Sequence, residues 1–149
     1  MKVPAEYLRP FRPRAARWVA SVLFVATVVA TPAFFIVLAV NDLAMPPTDA
    51  VGTVMVAAVL AWLCFRQAAV RAVPTETGLT VRNFVRVREL TWSQVVAVRF
   101  GPNRPWAMLD LSDGTTLAVM AIQSADGEYG RREASRLAAL IQVNEAEDR

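Results

Sequence analysis

Three arginines fall close together at Arg82, Arg86 and Arg88, and three more at Arg9, Arg12 and Arg14. These are the side chains best suited to chemistry, and the chemistry is anion binding. A guanidinium offers paired N–H donors that match phosphate or carboxylate oxygens. Anionic lipid headgroups or an acidic partner are the targets this suggests. A plainer use exists for each group. Outward charges on strands stay solvated and discourage edge-to-edge aggregation. Basic residues ahead of an apolar helix fix its orientation in a membrane.

Little else in the chain could react. There is no histidine and a single cysteine, Cys64, which has no imidazole to activate it. Asp110 and Asp113 are near each other in sequence, but Asp113 belongs to an Asp-Gly turn and Asp110 to a strand that should present it to solvent. No glycine-rich phosphate loop, dinucleotide fingerprint or spaced metal-ligand set occurs. No catalytic residue, cofactor or metal is therefore expected, and the expectation is a protein that is not an enzyme. Trp92 reads as core; Trp106 opens a strand after a loop and is also open to use as a contact platform.

The elements that hold these residues begin with a membrane hairpin. From Trp18 to Val40 the chain runs 23 residues without a charge. At about 1.5 Å per helical residue that length crosses a bilayer core of roughly 30 Å. A second apolar run, Ala50–Phe65, has only 16 residues and needs help from its flanks. Residues 18–65 are thus expected to form two spans, about 18–40 and 45–65, with Pro46-Pro47 breaking the helix and making the turn. A cleaved leader fits less well, since its apolar core is usually about 7–15 residues. Pro32 is expected to kink the first helix. Gly52, Ala57 and Ala61 would let helices approach closely, which leaves self-association open.

Orientation follows from charge. The connector carries Asp42 and Asp49 and no base, whereas the outer flanks carry Arg9, Arg12, Arg14, Arg17, Arg66 and Arg71. Positive flanks stay inside. Both termini should face the cytoplasm at the cell membrane, with residues 1–17 as a basic cytoplasmic arm and residues 72–149 as a cytoplasmic domain. The arm also contains Lys2 and Glu6. The excess positive charge sits beside the membrane segment, while residues 66–149 hold eleven arginines against ten acids. That distribution argues against nucleic acid as a partner. No ionisable group lies within either apolar run, so no ion path is marked.

Beyond Ala72 the pattern has period two. Leu79 and Val81 alternate with Thr80 and Arg82, and Val85 and Val87 with Arg86 and Arg88. A phase change near Glu89 suggests a bulge or turn before Leu90 and Trp92. Val96, Val98 and Phe100 form another candidate strand. Gly101–Pro105 is a loop, and Asp113-Gly114 a hairpin turn between Leu109–Leu111 and Leu117–Ala121. From Glu128 to Asn144, Ala134, Leu137, Ala138, Leu140 and Ile141 recur at helical spacing, with Arg131, Arg132, Glu133 and Arg136 largely on the opposite face. Ser124 or Asp126 is placed to cap that helix, and Glu145–Arg149 to fray. About six or seven short strands and one helix bury enough apolar surface only if the sheet bends strongly, as a half-open barrel plugged by the helix.

The ordered motifs Val73–Asn83, Leu90-Thr91-Trp92-Ser93-Gln94-Val95 and Leu109–Gly114 resemble the bacterial pleckstrin-homology-like (PH-like) membrane proteins of actinobacteria, the group that includes the low-molecular-weight protein antigens of mycobacteria. The resemblance covers roughly residues 70–142. It implies an α+β fold, a two-helix transmembrane hairpin followed by a PH-like partial barrel with a C-terminal helix, and little biochemistry. The Arg86-Val87-Arg88 step resembles part of the basic signature of phosphoinositide-binding PH domains, but the helix lacks the tryptophan those domains carry. Two functions are expected on these grounds. One is a scaffold that offers a sheet edge or loop rim to a protein partner at the membrane. The alternative is a binder of anionic lipid headgroups through Arg82, Arg86, Arg88, Arg9, Arg12 and Arg14.

Overall fold

A computed structural model describes residues 7–147; Lys2, Glu6 and the last two residues of the tail lie outside the described residues. The chain forms two compact units. One is residues 16–68, and the other combines the described residues 7–15 with 69–147.

The helical unit consists of α1 (Ala15–Val40) and α2 (Pro47–Ala68). Both are long and apolar enough to cross a membrane, and no part of the most apolar stretch of either is buried. A soluble core helix would hide that surface. α2 has 22 residues and begins at Pro47, so residues flanking the apolar run Ala50–Phe65 extend it at both ends. The Pro-Pro pair does not break this helix. Pro47 takes the first helical position, where its missing N–H costs nothing and its fixed φ is preorganised. The turn lies earlier, at Asp42, whose φ is +50°. α1 continues as helix through Pro32. Gly52 makes no close approach, since an added Cβ would meet nothing within 4 Å.

The other unit holds six strands in two three-stranded antiparallel sheets. The first sheet is β1 (Arg71–Pro74), β2 (Gly78–Arg82) and β3 (Val87–Thr91); the second is β4 (Val95–Arg99), β5 (Trp106–Leu111) and β6 (Thr116–Gln123). Helix α3 (Glu128–Glu147) packs on the second sheet and on the short turn Trp92–Gln94 that joins the two. This is the expected α+β, PH-like arrangement, bent but not closed into a barrel. The core draws on both sheets and α3, through Leu79, Leu109, Val119, Ile122, Leu137 and Leu140. Trp92 is buried, and its Nε1–H donates to the carbonyl of Thr75 at 3.0 Å. Gly114, at φ +79°, makes the Asp113-Gly114 turn that joins β5 to β6.

Several local expectations are corrected. β3 passes through Glu89 without a break, in unbroken register with β2 from Gly78↔Thr91 to Arg82↔Val87. The irregularities fall instead between Val95 and Ala97 and between Trp106 and Ala107. The first of these turns Val96 outward, to 58% exposure. Val85 and Val87 keep their alternation but not its usual meaning, because both are exposed. Asp126 does not cap α3. Gly127, at φ +57°, precedes the helix, and its carbonyl accepts from the N–H of Arg131 at 3.1 Å. Asp126 accepts instead from the backbone N–H groups of Arg14 and Ala15, at 2.9 and 2.8 Å. Arg136 and Glu133 are not on a solvated face: their side chains are 11% and 13% exposed.

Candidate functional site

The arm is built into the domain. Proline at positions 10 and 13 holds the backbone extended, and the residues then alternate: Phe11 and Pro13 are fully buried, Arg12 exposed. Phe11 and Ala72 exchange both backbone hydrogen bonds, at 2.8 and 3.0 Å, so the arm lies along the free edge of β1. Arg136 fastens it from α3. Its guanidinium lies 3.8 Å from the Phe11 ring centroid. Its Nη1 donates to the carbonyls of Tyr7 and Arg9, at 3.1 and 2.9 Å, and its Nη2 to Glu133 at 2.6 Å. Arg14 stacks on Tyr129 at 3.8 Å. Of the three arm arginines proposed as contacts, then, Arg14 is engaged within the fold, Arg9 contributes a carbonyl to the Arg136 clamp, and Arg12 points outward.

The register separates the other three. Arg82 is paired with Arg71 on one side and Val87 on the other, so these side chains share the outer face of the first sheet. Arg88 is paired with Val81 and stands on the opposite face, with Leu90. Arg86 lies outside β3, at the shoulder of the hairpin, and its carbonyl accepts from the N–H of Asn83 at 2.9 Å. Arg86 and Arg88 are exposed. The structure thus groups Arg82 with Arg71, which sequence reasoning used only as a topology signal.

Asn83 holds this hairpin to the second sheet. Its Nδ2 donates to the carbonyl of Ala118 at 2.7 Å and its Oδ1 accepts from the N–H of Met120 at 3.1 Å. One amide side chain thereby imitates a strand partner for β6. Asn83→Ala should cost about 1–3 kcal/mol, the usual penalty for leaving part-buried polar groups unpaired. Thermal unfolding of the full chain in detergent would read it, and an unchanged midpoint would refute the stitch.

Around the second sheet's turn, Asp113 has its pKa lowered by the Thr115 hydroxyl and then by the Thr115 N–H, which donate to its Oδ1 at 2.7 and 2.9 Å; the Arg88 charge adds a smaller share. A carboxylate with a depressed folded pKa stabilises the fold fully above its unfolded pKa and loses that contribution as pH falls through the folded value. Thr115→Val should therefore raise the Asp113 pKa and move this acid-side loss to higher pH. Carboxyl titration by NMR checks it; an unmoved Asp113 curve would contradict the assignment. Arg99 and Asp110, on adjacent strands, form an ion pair that raises the arginine's pKa.

A groove of about 780 Å³ opens between β4 and α3, lined by Val98, Phe100, Pro102, Arg131 and Ser135 among others. Among the described residues, Arg131 is the only charged one that lines it. Among the described residues no three His, Cys, Asp or Glu side chains gather as a metal site would require. Sequence reasoning missed Phe11, Asn83, Asp126 and Arg136. The alternation of Phe11 and Pro13 with Arg12 was a signal for the first; the partners of the other three lie 35 or more positions away in the chain.

Comparison with known proteins agrees with this architecture. The chain is 45% identical over 49 residues to Uncharacterized protein Rv1417 of Mycobacterium tuberculosis (strain ATCC 25618 / H37Rv), covering 33% of this chain and 32% of that one. The same figures hold for Uncharacterized protein Mb1452 of Mycobacterium bovis (strain ATCC BAA-935 / AF2122/97). The chain thus spans about a third of the length of the curated relatives it matches. No solved structure matches. Residues 68–139, which hold all six strands and more than half of α3, match the Bacterial PH domain family.

Proposed function

We propose that the protein is a non-enzymatic, membrane-anchored PH-like module that crosses the cell membrane twice, keeps both termini in the cytoplasm and holds its domain there for a protein partner. One observation supports this above the others: the Phe11–Ala72 bridge joins the chain on both sides of the helical unit into one domain. A chain that leaves this domain at Ala15 and returns to it at Ala69 crosses a bilayer an even number of times. The basic flanks then select the cytoplasm. Tethering raises the effective concentration of any partner at the same surface, so a weak contact suffices. The exposed Val96, on a strand at the edge of its sheet, is a surface such a partner can use.

The sidedness is tested with single cysteines in a Cys64→Ser background. A membrane-impermeant maleimide added to intact cells should label Thr48→Cys, and should reach Asn103→Cys only after permeabilisation. Labelling of Asn103→Cys in intact cells would reverse the orientation. The partner is tested by photocrosslinking from Val96 in native membranes. Absence of any discrete adduct would remove the support for a scaffold.

A further inference from the structure

We infer that the outer face of the first sheet, centred on Arg71, Arg82 and Val87, docks on the anionic headgroups of the membrane that carries the protein. This rests on the reading of α1 and α2 as spanning helices. Three features of the chain point there.

The first is covalent reach. α2 ends at Ala68 and β1 begins at Arg71, three residues on. Extended chain covers at most about 3.6 Å per residue, so Arg71 lies within about 11 Å of the helix end. Paired residues on neighbouring strands are about 5 Å apart, which puts Arg82 within about 16 Å and Val87 within about 21 Å. A helix of 22 residues is about 33 Å long and ends at headgroup level. The row therefore starts within roughly one Debye length of the lipid phosphates.

The second is the state of the side chains. Neither Arg71 nor Arg82 has a side-chain hydrogen bond or ion pair among the described residues, although Arg99, Arg131 and Arg136 each have a carboxylate. The cross-strand pairing sets these two like charges side by side, an arrangement that is destabilising unless an anion lies between them. Glu89 is the one acid on this face of the strands, and it is paired with Thr80.

The third is the apolar surface. Within the described residues of this unit, the exposed large apolar side chains are Tyr7, Val85, Val87 and Val96. Two of the four sit on the β2–β3 hairpin, Val85 at 73% and Val87 at 54% exposure. Aliphatic side chains flanked by unpaired arginines suit a charged interface with hydrocarbon beneath it. Bulk solvent gives them no such partner. Arg88, on the other face, takes no part.

The test uses the full chain in lipid nanodiscs, with Cys64→Ser and an environment-sensitive fluorophore on Val87→Cys. A label on Val96→Cys, on the second sheet, is the control. With phosphatidylglycerol present, the label at 87 should be shielded from acrylamide and quenched by spin-labelled lipid, while the label at 96 is not. In phosphatidylcholine alone the shielding should fall. Changing Arg71 and Arg82 to Gln should lower the ratio of docked to undocked domain about fivefold per arginine. Added salt should release the unmodified arginines in the same way, which keeps the test decisive if the glutamine variants misfold. Equal shielding in both lipids, a label at 87 as open to acrylamide as that at 96, or shielding that needs added cytosolic protein would each overturn the inference. Release of the protein by carbonate washing would instead overturn the spanning assignment, in a separate assay.

Discussion

Replacing Phe11 by alanine should unfold much of the β-rich unit's stability margin. The side chain is fully buried, and Phe→Ala in a packed core costs about 3–5 kcal/mol. A domain of this size has roughly 5–15 kcal/mol in total. The midpoint of thermal unfolding should drop by about 12 °C or more, because each kcal/mol shifts it about 4–8 °C. The Ala72 amide, which donates to the Phe11 carbonyl, should lose hydrogen-exchange protection at the same time. A midpoint within a few degrees of the parent chain, with Ala72 still protected, would show that the arm is not part of the core. The same contact predicts that a fragment starting at Ala69 is unstable alone. One in which residues 7–15 precede it through a flexible linker should recover most of the stability.

The second large effect is expected at Arg136. Arg136→Met keeps the apolar stem but removes the donor to two arm carbonyls and the cation over the Phe11 ring, and it leaves Glu133 without its partner in a site 13% exposed. Breaking a largely buried pair by removing one member costs about 3–5 kcal/mol, mostly the burden of the remaining charge. Adding Glu133→Gln should therefore restore part of the loss. Arg136→Met and Phe11→Ala should be non-additive by at least about 0.5 kcal/mol, since they share one contact. Strict additivity, or no recovery on neutralising Glu133, would mean that the clamp works otherwise.

These two residues also tie the domain to the stretch of chain that enters α1. The arm is the stretch of chain just before the first helix, and the domain needs it as a core element. The hairpin is thus an insertion within the domain's sequence, which ties the stability of the domain to both chain entries into the helices.

The sequence by itself determined two helices long and apolar enough to cross a membrane, because unbroken apolarity is a local property. It determined that the remainder is β-rich with a terminal helix, through the period-two runs, the Asp113-Gly114 turn and the spacing from Ala134 to Ile141. It determined that Trp92 belongs to the core. Tertiary structure alone decided which arginines stand together. Arg82, Arg86 and Arg88 are near in sequence, yet β2–β3 pairing puts Arg82 and Arg88 on opposite faces and adds Arg71 from a third strand. It also decided that Arg136 is a clamp, although its helical position places it with solvated charges. Asp126 follows the same rule, serving residues 14 and 15 from more than 110 positions away. A side chain's partner depends on register and packing across long loops, and local pattern carries no record of either.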